Sequence, residues 1–212
     1  MRTILVIEAH PDPTSFGTAL ARAYATGARR VGAKVTTLSL TELSFHPVMR
    51  GFSENLPLEP DLQQAQGLIE EADHLMIQFP VWWGNLPALL KGFIDRTFLP
   101  GWAFQQVPGQ RLPEPGLSGR SARIISTMDS PRVWYWWKHG RAAHRSLTHA
   151  TLHYVGIYPV SETTIYQLRT LSESARGEWL QRAEALGEAD AQRREKEDER
   201  KVEESKPSQD GS

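Results

Sequence analysis

The chain has 212 residues, 40% of them apolar, which suffices for one globular domain with a sizeable core. Twenty-five acidic residues against 24 basic ones leave a formal charge of −1, without the electrostatic signature of a nucleic-acid binder. The absence of cysteine excludes disulfide frameworks, thiolate metal sites, iron–sulfur clusters and thiol nucleophiles, and suits a reducing, cytoplasmic setting.

The first ten residues, MRTILVIEAH, carry one basic residue and then a short apolar run that meets His10 and Pro11 without a cleavage-like site or an 18-residue apolar span. They predict a buried strand over residues 3–9 in place of a leader or anchor, so the chain is not expected to be an integral membrane protein. Ser15 then precedes Phe16, Ala19, Leu20, Ala23, Tyr24 and Val31 at helical spacing. A β-rich run over Lys34–Leu40, a helix over Asp61–Ala72 and an apolar strand over His74–Phe79 come next. A helix started by Pro87 runs to about Phe98, followed by a strand over Arg123–Thr127, an aromatic-rich stretch, a strand over Gly156–Thr164 and a helix around Ser174–Leu186. After Gly187, nine acidic and six basic residues surround a single branched aliphatic, Val202. Such a composition buries too little surface to offset its ordering entropy. The expected division is therefore a folded domain over 1–187 and a charged, disordered tail over 188–212, with some charge-paired helix near the body.

Five strands alternating with helices predict a doubly wound α/β parallel sheet, because parallel strands need crossovers and the crossovers cover both faces. Ligands of such sheets bind beyond the carboxyl ends of the strands at the switch point, which directs attention to three loops. The first reads His10-Pro11-Asp12-Pro13-Thr14-Ser15-Phe16-Gly17. Free amides and the positive end of the helix dipole favour an anion there, with Thr14 and Ser15 as hydroxyl donors, although Ser15 serves equally as a plain N-cap. The loop is neither GxGxxG nor GxxxxGK[ST]. The second loop, Pro80-Val81-Trp82-Trp83-Gly84, places adjacent tryptophans at a strand end. On extended backbone only one can face the core, so the other is expected to line a pocket for a flat, partly polar heterocycle; a packed aromatic cluster is the competing reading. The third loop, Thr127-Met128-Asp129-Ser130, leads into Trp134, Tyr135 and His139.

Three ordered matches, H-P-x-P-x-S-F at His10–Phe16, P-V-W-W-G-N-L-P-A-L-L-K-G-F-I-D-R at Pro80–Arg96 and G-W-A-F at Gly101–Phe104, resemble the flavodoxin-like NAD(P)H:quinone oxidoreductase family over roughly residues 3–187. The resemblance implies a flavodoxin-like five-stranded parallel sheet of order 2-1-3-4-5 and a flavin held by the three loops, reduced by NAD(P)H and reoxidised by a quinone, nitroaromatic or azo compound. Carried over by position, His10, Ser15, Phe16 and Gly17, with Thr14, hold the flavin's phosphate side. Pro80, Val81, Trp82, Trp83 and Gly84 cup its ring, and Thr127, Met128, Asp129 and Ser130 serve its edge. Trp83, Phe104, Trp134 and, from a partner subunit, Tyr154 shape the acceptor pocket, which implies a homodimer with shared sites. Gly17 stands where DT-diaphorases of that family carry Asn, and Gly84 where they carry Phe. Gly17 and the lack of an extended C-terminal domain favour FMN over FAD.

Charge developing at flavin N1 and O2 requires a donor, and the resemblance puts Tyr135 first and His139 second in that catalytic role. His139, His144, His149 and His153 do not make a metal site, since only His149 and His153 share helical i,i+4 spacing and no carboxylate set completes them. Two other functions are compatible with a bound flavin: a regulatory subunit of a potassium-efflux transporter, and a one-electron carrier. The carrier is disfavoured by the open Trp-rich loop and the near-neutral body.

Overall fold

A computed structural model describes residues 1–51 and 58–204, with side chains as far as Arg193. Strands β1 (Thr3–Glu8), β2 (Lys34–Ser39), β3 (His74–Pro80), β6 (Ser121–Thr127) and β7 (Val160–Ile165) form one parallel sheet in the order β2-β1-β3-β6-β7. Leaving aside the small antiparallel ribbon of β4 (Phe104–Gln105) and β5 (Glu114–Pro115), this is the expected 2-1-3-4-5 order. The central strands β3 and β6 are buried at every position, as a strand covered on both faces requires. β7 pairs only with β6 and is half-buried along most of its length, as an edge strand.

Alternation along the strands sorts the core into two layers. On one face Leu5, Ile7, Leu75, Ile77, Phe79 and Ile124 pack against α2 (Pro60–Glu71), α3 (Ala88–Thr97), α5 (Ala142–Leu147) and the single π-helical turn Thr148–His153. On the other, Ile4, Val6, Met76 and Ile125 meet α1 (Phe16–Arg30) and α6 (Glu173–Glu204). The short helix α4 (Arg132–Trp137) follows β6 and contributes Tyr135 to the first layer.

The boundary expected after Gly187 falls inside α6. Gly187 is a packing position: a Cβ there would lie 2.1 Å from the Tyr24 carbonyl oxygen, and one on Gly27 would lie 2.0 Å from that of Glu184, so the two glycines let α1 and α6 touch. Beyond it, Asp190 and Ala191 are buried in the body. The Asp190 carboxylate accepts from Arg123 Nε, from Arg123 Nη2 at 2.9 Å and from the Tyr24 hydroxyl at 2.9 Å, with His74 Nε2 at 3.3 Å. Arg2 donates to the Asp190 carbonyl and to Ser121 Oγ. Thus 188–191 belong to the folded unit; 205–212 lie outside the described residues. Among the described residues no helix is long and apolar enough to cross a membrane, and no cluster of His, Asp and Glu is placed to hold a metal ion.

Candidate active site

Because all five strands run the same way, the loops after β1, β3 and β6 emerge at one end of the sheet, and β1 and β3 flank the point where the strand order reverses. The first loop is braced internally. Asp12 Oδ1 accepts from the Thr14 amide at 2.8 Å and from its hydroxyl at 2.7 Å, while His10 Nδ1 accepts from the Asp12 amide at 2.9 Å. The Thr14 contacts hold the Asp12 carboxyl below its usual range. Burial lowers the His10 pKa, and the accepting Nδ1 places the proton of the neutral ring on Nε2. Ser15 caps α1, its Oγ taking the Thr18 amide at 3.2 Å. The hydroxyls of Thr14 and Ser15 are therefore engaged within the loop, and what α1 presents to an anion is its first-turn backbone at Phe16 and Gly17.

Gly17 has a packing reason as well. A Cβ on it would stand 2.2 Å from Gln78 Nε2. Gln78 is wholly buried beneath that turn, and neither polar atom of its amide has a hydrogen-bond partner among the described residues.

The second loop is a two-residue turn. Trp82 and Asn85 exchange backbone hydrogen bonds of 3.1 and 2.9 Å, and the central residues Trp83 (φ 53°) and Gly84 (φ 72°) both lie in the left-handed region, as in a type I′ turn. This overturns the expectation that one tryptophan turns inward, which assumed extended backbone. Trp82 is 48% exposed and Trp83 fully exposed. Trp82 meets the His10 ring edge-on at 5.8 Å, joining the first two loops. Pro80 and Val81 are buried, and the Val81 amide binds the Thr127 carbonyl at 2.8 Å, joining the second and third.

In the third loop Thr127 and Met128 are buried, so only their backbone could serve a ligand, while Asp129 is held by the Arg169 amide at 3.0 Å and its Nε at 2.9 Å. Pro131 caps α4 next to half-buried Ser130. On α4, Trp134 is exposed and Tyr135 buried.

The two candidate donors differ in burial and partners. Tyr135 is 1% exposed, its hydroxyl lies 2.8 Å from His144 Nδ1, and burial raises its pKa to about 12. His144, a residue the sequence reading weighed only as a metal ligand, continues the chain through Nε2 to Ser126 Oγ and Thr164 Oγ1, both at 3.0 Å. His139 is half-buried, stacks on Tyr135 at 6.2 Å, and packs so close to Gly84 that a Cβ there would fall 2.6 Å from its Nδ1. It therefore reaches the second loop at Gly84, as His10 does at Trp82. Phe104 and Tyr154, which the resemblance assigns to opposite subunits, meet edge-on at 5.2 Å within one chain.

Residues 2–189 match the family described as flavodoxin-like fold, Flavodoxin_2. The chain belongs to that family. Among its relatives is the mouse ribosyldihydronicotinamide dehydrogenase [quinone], 27% identical over 216 residues, covering 87% of this chain and 92% of that protein. The crystal structure of Smu.1420 from Streptococcus mutans UA159 is 30% identical with a TM-score of 0.77, covering 88% of this chain and 98% of that one. An FMN-dependent NADH-azoreductase from Bacillus anthracis, solved in complex with FMN, shares the fold at a TM-score of 0.68 and 18% identity, covering 91% of this chain and 99% of that one.

Proposed function

We propose that this Flavodoxin_2 protein is a flavin-dependent oxidoreductase that passes two electrons from NAD(P)H to a quinone or azo acceptor. The observation that carries this reading is the convergence, at the carboxyl ends of β1, β3 and β6, of an open first turn of α1 and a rigid turn displaying two exposed indoles. An anionic arm and a flat ring suit those two features in turn. The names of the mouse quinone dehydrogenase and the FMN-bound azoreductase support the same chemistry.

The amides of Phe16 and Gly17 would bind the phosphate, in a loop already ordered by Asp12, and FMN is the form we favour. Trp82, Trp83 and the Gly84 backbone would flank the ring, and the main chain of Thr127–Asp129 its edge. A flavin supplies two-electron redox chemistry, while the protein contributes position and electrostatics. His139 would hold a proton at the ring edge, while Tyr135, fixed by His144, would keep the His139 ring in place from beneath. Trp134 would exclude water from the acceptor, and Phe104 and Tyr154, in contact within one chain, would do so together. Exposed aromatics on α4 and around Tyr154 support a homodimer as the working form. We place the protein in the cytoplasm. No observation favours the transporter-subunit reading.

The test is direct. Purified protein should be yellow, bleach with NADH or NADPH under argon and regain colour with a quinone; protein that stays colourless after reconstitution with FMN and with FAD overturns the proposal.

A further inference from the structure

A second crevice, of about 260 Å³, opens along the free edge of β7 and belongs to none of the three loops. Arg132 and Trp136 reach it from α4, Arg141 from the turn before α5, and Trp179 and Arg182 from α6 on the opposite face of the sheet. Its charges do not balance. The carboxylate of Glu162 is already engaged, by Arg141 at one oxygen and by the Thr148 hydroxyl at 2.7 Å at the other. Arg132 and Arg182 have no carboxylate partner among the described residues; each lies over an indole, Arg132 at 5.6 Å from the Trp136 ring centre and Arg182 at 5.0 Å from that of Trp179.

The aromatic floor is held in place. The Trp136 indole donates to the Tyr166 hydroxyl at 3.2 Å and carries the Arg141 guanidinium at 4.6 Å. Stacking on a ring orients a guanidinium while leaving its N–H edge free to donate, and planar guanidiniums bind phosphate oxygens in pairs. Arg132 and Arg182, both exposed, bring two acid-free cations to one crevice from opposite faces of the sheet, an arrangement that favours an anion between them, and Thr163, Thr164 and Tyr166 line the same space.

We propose that the β7-edge crevice is a binding site for a phosphate dianion, either free or as a monoester, gripped by Arg132 and Arg182. The site stands independently of the flavin reading, because it shares no residue with the three loops.

The experiment uses the full chain and two probes, inorganic phosphate and phenyl phosphate, titrated at constant ionic strength. The readout is the indole N–H resonances of Trp136 and Trp179, assigned with single Trp→Phe variants. Saturable shifts of both signals are expected, with affinity about tenfold weaker in R132Q and again in R132Q/R182Q, since each change removes a charge-assisted donor. Flavin content should be unchanged in both variants. Equal affinity for the two probes assigns the site to the free anion, and markedly tighter phenyl phosphate to an ester. Shifts that rise without saturation, or that survive in the double variant, overturn the proposal. So do shifts confined to the amides of Phe16 and Gly17, which would place the anion at α1 instead.

Discussion

Replacing Asp190 by Asn tests the claim that the polar segment beyond Gly187 is part of the folded unit. The side chains of Asp190, Arg123 and His74 are almost wholly buried, at 1%, 8% and 1% exposure. Asn keeps the shape and one acceptor oxygen but removes the carboxylate paired with Arg123, so that guanidinium loses its countercharge and Arg2 loses part of its own. Breaking such a buried pair from one side costs about 3–5 kcal/mol, a large share of the roughly 5–15 kcal/mol that stabilises a typical domain. With a urea dependence of about 2 kcal/mol per molar, the midpoint of unfolding should fall by roughly 1.5–2.5 M. The neutral pair R123M/D190L should recover much of the loss, because an apolar replacement leaves no stranded charge on that arm. The pH dependence has a defined sign. Arg123 and His74 hold the Asp190 carboxyl well below its usual range, against the upward push of its own burial. Its stabilisation is therefore complete above the unfolded-state value near pH 4 and is lost as pH falls below it. Burial lowers the His74 pKa, so its protonation in the unfolded chain begins to erode stability already below about pH 6.5. Urea titrations from pH 7 to about pH 2 on wild type, D190N and a chain ending at Gly187 check all of this. If D190N and the truncated chain unfold within about 1 kcal/mol of wild type at pH 7, the account of α6 is refuted.

Four further outcomes are expected. Gly17→Ala forces the buried Gln78 amide aside and should cost about 1–3 kcal/mol by urea titration and lower bound flavin on purification. Trp83→Asn should leave stability unchanged or raise it by up to about 1 kcal/mol, since Asn tolerates the left-handed region and the exposed indole packs on nothing, while quinone turnover falls. His139→Gln should reduce kcat by about 10²–10³, whereas Tyr135→Phe should cost about 1–2 kcal/mol of stability by stranding His144 and change kcat much less; the opposite ranking would restore Tyr135 as the donor. Protonating His10 removes the acceptor of the Asp12 amide, and since burial lowers its pKa, flavin retention measured by ultrafiltration should be constant near pH 7 and decline on acidification below about pH 6.5.

The sheet was legible because β1, β3 and β6 each carry a short apolar run that falls on both faces, as buried parallel strands do, and crossover helices had clear starts such as Ser15 and Pro87. The end of the domain was not. Asp190 looks solvated by composition, and its partner Arg123 is 67 residues away, so nothing local marks it as buried. The three loops were found from their position at strand ends, but their side-chain directions were not. Trp83 leaves the extended region, which cancels the alternation rule on which its partner's orientation rested. His144 was not legible as the partner of the Tyr135 hydroxyl either: Arg141 adopts φ 55° between α4 and α5, so no regular helical spacing links the two residues.

The reciprocal backbone bonds of the Trp82–Asn85 turn have a thermodynamic consequence for anything that stacks there. The Trp83 indole touches no neighbour, yet its root cannot swing, so a guest meets a sail on a fixed mast and has only two side-chain torsions left to still. Recognition at that edge is accordingly set more by the fit of the incoming plane than by the reshaping of a loop.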